Sequence, residues 1–226
     1  MANSARSWIW WKWVGDHFWS GRNLSIVDAL RDHVELTVLA VGIGLLLSLP
    51  LAVLAWRFRW LESPILGLTG LIYTIPSLAL FAFFVPITGL SRTTSEIGLV
   101  GYTLLILVRN IVTGLDGVPD EVREAARGMG FTPGRQLLRI DLPLAIPAIL
   151  AGIRIATVTT IGLVTITVLI GQGGLGRLIY DGFLREFHTT LIVGSALCVL
   201  LAVVADAVLV GTARLVAPWT RRRHRR

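Results

Sequence analysis

Five long apolar runs divide this sequence, and a chain that carries them has few folds open to it. They are Val34–Trp56, Pro64 to about Leu90, about Ile97 to Val112, Ala145–Gly171 and Thr190–Ala213. The first alone has 23 residues, which is about 35 Å of helix at 1.5 Å per residue and enough to cross a bilayer. The expected fold is therefore an all-α integral membrane protein with about five transmembrane helices. Pro50 should kink the first span. Pro76 and Pro86 lie in the second run, and Pro76 could split it into two shorter pieces.

Composition supports the same class. Charged residues make up 15% of the chain, against about 25% in a soluble domain. A length of 226 residues suits one helical bundle rather than several domains. The expected organisation is a Trp-rich, external or interfacial segment over 1–31, a transmembrane domain over 32–213 and a basic cytoplasmic tail over 214–226. The net charge is +7, and five of the 21 basic residues fall in the terminal RRRHRR. That cluster reads as a solvated cytoplasmic end rather than a nucleic-acid arm. The single cysteine, Cys198, excludes a disulfide within the chain. No cleavable signal peptide is expected, because the first thirty or so residues lack an apolar core. They carry Trp8, Trp10, Trp11, Trp13, Phe18 and Trp19 instead. Such aromatic density suits a segment lying at headgroup depth.

Arginine sets the orientation. The loop with Arg57 and Arg59, the block with Arg123, Arg127, Arg135 and Arg139, and the basic tail fall on one side of the expected spans. The bias places that side, with the C-terminus, in the cytoplasm and the N-terminus outside. No internal repeat is visible, which weighs against secondary carriers built from paired halves. A five-helix chain of this kind is expected to find its twofold partner in a second subunit.

Between the third and fourth runs lies a block of charge, Val118–Pro143, VPDEVREAARGMGFTPGRQLLRIDLP. It must sit in water while its neighbours do not. Pro119, Asp120 and Glu121 suit a helix start, and Gly130 a helix stop. Val122, Ala125, Ala126 and Met129 fall at i, i+3, i+4 and i+7, one small apolar face expected to point inward. Thr132-Pro133 starts a second short helix, expected to end by Pro143. The pair reads as a docking knob whose small residues let another backbone approach.

Glu124-Ala125-Ala126, then Gly130, Ile140 and Leu142-Pro143, stand at the spacing of the EAA loop, and the chain resembles the permease subunits of bacterial ABC importers. The segments YTIPSLALFAFFVP (73–86), VRNIVTGLDGVPDEVREAARGMG (108–130) and LIGQGGLGRLI (169–179) are similar to permeases for glycine betaine, carnitine and choline. The resemblance covers most of the chain from about residue 30. It implies an ABC importer type I permease fold, with a coupling loop at 116–143. Glu124, Ala125, Ala126, Arg127, Gly130, Ile140, Leu142 and Pro143 would then couple to a cytoplasmic ATPase. The implied partners are two ATP-binding subunits, a second permease subunit, identical or similar, and an external solute-binding protein. The chain would not be an enzyme. The only lysine, Lys12, has no glycine-rich context, so there is no P-loop, and ATP and Mg belong to the partner. No cofactor, metal or nucleic acid is expected in this chain. Permeases for methionine or polar amino acids share the EAA loop and stand as the alternative. An ATP-independent carrier and a membrane scaffold are more distant ones.

Other residues invite weaker readings. Gly171, Gly173, Gly174 and Gly176 match GxGxxG literally, but no strand precedes them, so dinucleotide binding is rejected. They read as a hinge near an external gate, or as an ordinary loop. Thr157, Thr160 and Thr167 fall within about 80° on a helical wheel; they either line the solute path or pack against a neighbouring helix. Tyr73, Pro76 and Ser77 mark a broken helix whose freed carbonyls could line a cavity. Arg154 can reach the interface as an anchor. Asp206 lies inside the last span, a functional candidate by position but more simply a partner of Arg154 or Arg109.

Overall fold

The structure is a computed structural model that describes residues 9–19 and 25–218. Trp8 and the terminal RRRHRR lie outside the described residues. The elements are α1 (Trp11–Asp16), α2 (Ile26–Arg57), α3 (Arg59–Thr74), α4 (Ser77–Thr88), α5 (Arg92–Asp116), α6 (Asp120–Gly128), α7 (Pro133–Gln136), α8 (Leu142–Val164), α9 (Gly176–Leu184) and α10 (His188–Val216). A π-helical turn, Leu137–Asp141, joins α7 to α8, and a 3₁₀ stretch, Thr165–Ile170, extends α8. No strand occurs among the described residues.

Among the described residues, four helical stretches are long and apolar enough to cross a membrane: Ile26–Arg57, Arg92–Asp116, Pro133–Ile170 and His188–Val216. A fifth span exists if α3 and α4 count as one broken helix. The break falls at Ile75–Pro76, where Pro76 takes φ −54°, ψ 133°. Proline disfavours helical geometry in the residue before it and donates no hydrogen bond, so the second apolar run is split where the sequence allowed. Pro50, in contrast, lies inside α2 without ending it. Ser25 caps α2, its Oγ accepting the Asp28 N–H at 3.3 Å.

The second helix of the charged block does not end by Pro143. It runs on through the π turn into α8, one helical stretch from Pro133 to Ile170. Pro143 falls in the first turn of α8, directly after the wider π turn. Leu142, the last residue before it, still donates to the Leu137 carbonyl, and a proline needs no bond of its own to continue from there.

The chain folds as two compact units, and α2, α5, α8 and α10 each contribute residues to both. One unit gathers residues up to 40, 75–99 and 159–204. Its core joins Ile26 and Ala29 of α2 to Leu175 and Leu178, with Trp13, Leu197 and Cys198 around them. Trp10 and Trp13 meet Phe187 edge-on, at 6.3 and 5.7 Å between ring centroids, and the Trp10 N–H donates to Thr189 Oγ1. Trp11 and Trp19 are exposed. Gly98 on α5 lies against the ring of the fully buried Phe81 on α4, where no Cβ would fit.

The other unit gathers residues 41–74, 100–158 and 205–226. Its core is built from Ala52, Ala55, Val108, Ile111, Val112, Leu115 and Ala145. In lipid the hydrophobic effect does not drive helix against helix, and close packing of small residues replaces it. Here a Cβ at Gly114 would meet Ala148 and the Ala145 carbonyl, and one at Gly152 would meet Asn110. α5 and α8 therefore approach closely at two points.

Candidate functional site

Within the second unit the charged block forms a fixed knob. Asp120 and Glu121 occupy the first turn of α6 and Arg127 its last, each at the end of the helix dipole that favours its charge. Gly130 takes φ +80°. The Gly130 N–H bonds the Arg127 carbonyl at 2.9 Å and the Phe131 N–H bonds the Ala126 carbonyl at 3.1 Å. That is a Schellman cap, which needs a residue free to adopt positive φ. Thr132 then stands at the N-cap of α7 with Pro133 at its first position, as the sequence predicts.

Arg123 holds the knob to its base. Its Nε donates to Asp141 Oδ1 at 3.1 Å and its Nη1 to Asp120 Oδ1 at 3.2 Å. Its Nη2 donates to the Leu115 carbonyl near the end of α5. Gln136 Nε2 donates to the second Asp141 oxygen at 3.2 Å. The Arg123 guanidinium also lies over the Trp56 ring, 5.2 Å from its centroid. One side chain thus joins α6 to the last turns of α2 and α5 and to the π turn. The Asp141 side chain is 1% exposed, and a carboxylate so buried is stable only when paired and hydrogen-bonded. Neither Arg123 nor Asp141 stands out as a site residue in the sequence. The available signal was that Asp141 is the one acid between Glu124 and Asp181.

The expected inward apolar face of α6 is corrected by the structure. Ala126 alone is fully buried, while Val122 is 37% and Met129 69% exposed. Ala125 is exposed with Glu124, Arg127 and Gly130. The short helix rests on one alanine and an arginine, which leaves most of its apolar face uncovered. Ile140, Leu142 and Pro143 do not join that surface. They are half-buried in the π turn and the start of α8, where they support it.

The same unit contains the paired charges. Arg154 grips Asp206 in a two-point contact, Nε to Oδ1 at 2.9 Å and Nη2 to Oδ2 at 3.0 Å. Arg109 is exposed and is no part of the pair. Tyr73 meets Tyr102 edge-on at 5.7 Å, half in contact and 39% exposed. The Thr157 hydroxyl bonds the Ile153 carbonyl.

In the first unit Thr160 and Thr167 are buried, and the Thr167 hydroxyl bonds the Val164 carbonyl at 2.8 Å. The helix tightens to 3₁₀ at Thr165, which adds about 20° per residue and leaves Thr167 on the same side of the helix as Thr160. Pro76 is exposed and Ser77 half-buried. The glycine loop is tightly seated. Gly171, Gly173 and Gly174 take φ of 81°, 107° and 47°. A Cβ at Gly173 would meet Val168, one at Gly174 the backbone of His33, and one at Gly176 the backbone of Thr165.

His33 and Glu96 escape a sequence reading. His33 is fully buried; its Nδ1 accepts the Leu175 N–H at 3.2 Å and its Nε2 lies 3.0 Å from the Ile161 carbonyl. Nδ1 must therefore carry no proton and Nε2 must donate, the neutral tautomer. The imidazole pins the glycine loop to the end of α8. Glu96 lies just ahead of the apolar run at Ile97, and α5 starts early enough to include it. Both its carboxylate oxygens are buried without a hydrogen-bond partner among the described residues, which makes Glu96 a second acid, in addition to Asp206, within a candidate span.

Comparison with known proteins places this geometry. The sequence profile described as "Binding-protein-dependent transport system inner membrane component" matches residues 41–222. The choline transport system permease protein OpuBB of Bacillus subtilis (strain 168) is 38% identical over 188 residues, 83% of this chain and 86% of that protein. The osmoprotectant import permease protein OsmW of Salmonella typhimurium is 40% identical over 180 residues, 77% of this chain and 84% of that protein. Among solved structures, the inward-facing MetNI methionine ABC transporter superposes with a TM-score of 0.76 at 20% identity, over 84% of this chain and 95% of that one. At that identity the match speaks for the fold.

Proposed function

Because this chain belongs to the family of binding-protein-dependent transport system inner membrane components, we propose that it is the permease of an ATP-driven importer for compatible solutes of the choline, glycine betaine and carnitine type. It is a multi-pass inner-membrane transport component and not the ATPase, which is a separate subunit in this family. The substrate class rests on relatives named for choline, for osmoprotectants and for glycine betaine, carnitine and choline. It is favoured over methionine or polar amino acids, for which the structural likeness speaks only to fold.

The observation that carries the mechanism is the exposed face of α6 braced from behind by Arg123. An ATPase seated on Glu124 and Ala125 would push on a helix that cannot yield alone. Arg123 would pass that displacement to the ends of α2 and α5, and the continuous helix from Pro133 would carry it into the membrane. In this reading the knob and the basic tail are cytoplasmic and the N-terminus lies outside. Two ATPase subunits, a second permease subunit and an external receptor complete the machine. Tyr73, Pro76, Ser77, Thr157, Thr160 and Thr167 are the candidates for the pathway, and the loop of Gly171, Gly173, Gly174 and Gly176 for the outer gate. Arg154 and Asp206 act as a structural pair. Residues 1–31 and 214–226 flank a transmembrane domain over 32–213.

The test is reconstitution of this chain with its ATPase and solute receptor in sealed vesicles, followed by uptake of labelled choline and glycine betaine. Uptake that requires external receptor and internal ATP is expected. Uptake that persists without the ATPase, or of methionine in place of the quaternary amines, would overturn it.

A further inference from the structure

Behind the docking knob lies a cavity of about 510 Å³, in the range that holds small ligands. α6 presents two separate faces here. Glu121, Glu124, Ala125 and Gly128 lie on the exposed side, whereas Asp120, Arg123 and Arg127 line the cavity. Trp56 and Arg57 at the end of α2 form its other wall.

The charge in this cavity is unbalanced. Both acids that line it, Asp120 and Asp141, are paired with Arg123. Arg57 contacts the Phe58 ring and, among the described residues, forms no ion pair. Arg127 uses its Nε on the Arg123 carbonyl at 3.4 Å and likewise forms no ion pair among the described residues. Three guanidiniums against two carboxylates leave the lining with one net positive charge, and Arg57 and Arg127 face it outside any ion pair among the described residues. Guanidinium forks match the oxygens of a phosphate better than those of most other anions.

The surroundings choose between a soluble phosphate and a lipid. Val53 and Leu137 give the cavity an apolar side. Phe58 is 46% and Trp60 74% exposed in the turn that follows Arg57. Exposed aromatic rings at a span terminus mark headgroup depth. A free phosphate would use the guanidiniums and nothing of the apolar wall. A phospholipid would use both.

We propose that the cavity formed by Trp56, Arg57, Arg123 and Arg127 binds the phosphate of an anionic phospholipid headgroup. The lipid would wedge between the end of α2 and the inner face of α6, leaving the outer face free for a partner.

The test uses the full chain, purified with its ATPase from vesicles of phosphatidylglycerol in phosphatidylcholine, with bound lipid counted by native mass spectrometry. Phosphatidylglycerol should be retained in preference to phosphatidylcholine. Arg57→Gln should weaken that retention roughly tenfold, the loss of about one charge-assisted hydrogen bond. Arg57→Lys should restore part of it, and Arg214→Gln, a basic residue outside the cavity, should leave it intact. An Arg57→Gln,Arg127→Gln chain that assembles and retains phosphatidylglycerol like the parent overturns the proposal. So does a site that takes inorganic phosphate in detergent but never retains the lipid.

Discussion

Removing the Arg123 guanidinium should detach the knob from the spans while leaving the spans folded. In Arg123→Gln the Asp141 carboxylate, 1% exposed, keeps only the Gln136 amide. The Leu115 carbonyl loses its donor and Trp56 loses its cation. Breaking one side of a buried ion pair costs about 3–5 kcal/mol. The Arg123 side chain is itself 16% exposed, so water can enter, and about 2–3 kcal/mol is the better figure. The lost cation–π contact adds roughly 0.5–1 kcal/mol. The spans do not depend on these contacts, so the loss falls on α6 and the turn beneath it. Receptor-stimulated ATP hydrolysis by the assembled transporter should drop at least tenfold, while melting of the membrane core shifts little. Hydrogen exchange should quicken across 118–141 and nowhere else. The Arg123→Gln,Asp141→Asn chain removes both charges and should recover much of the loss, with a coupling of about 2 kcal/mol in the double-mutant cycle. Wild-type exchange in Arg123→Gln, or strictly additive effects in the double variant, would refute the bracing role.

Three further outcomes are expected. Glu124→Arg, on the exposed face of α6, should lose copurifying ATPase with no change in melting, since no hydrogen bond or ion pair among the described residues holds its side chain; unchanged ATP-driven uptake would contradict docking there. His33→Ala removes the acceptor of the Leu175 N–H, and hydrogen exchange at 171–176 should rise by about tenfold, the worth of roughly one buried hydrogen bond. Asp206→Ala leaves Arg154 unmatched and should lower the melting temperature of the detergent-solubilised chain by several degrees. Pairing it with Arg154→Leu should return most of that loss.

The spans and the knob were legible in the sequence because both rest on local rules. Apolar length sets a span, and Pro119, Gly130 and Pro133 set helix boundaries through their own backbone preferences. What was hidden depends on distant residues. The bracing of α6 joins Trp56, Leu115, Arg123 and Asp141, and no periodicity links those positions. The outward turn of Val122 and Met129 also escaped, because helix periodicity shows that a face exists and not which way it points. The Arg154–Asp206 pair lay between these cases. Two opposite charges in lipid demand partners, and the sequence narrowed the choice to two arginines.

Arg123 and three of its polar partners fall between Leu115 and Asp141, a short reach along the chain. Low contact order makes for fast assembly. The knob can close as soon as Asp141 leaves the ribosome, before α8 is complete and long before α10 exists. Biogenesis would then present a finished recruitment surface on a half-built membrane protein, and an ATPase could meet its permease while translation continues.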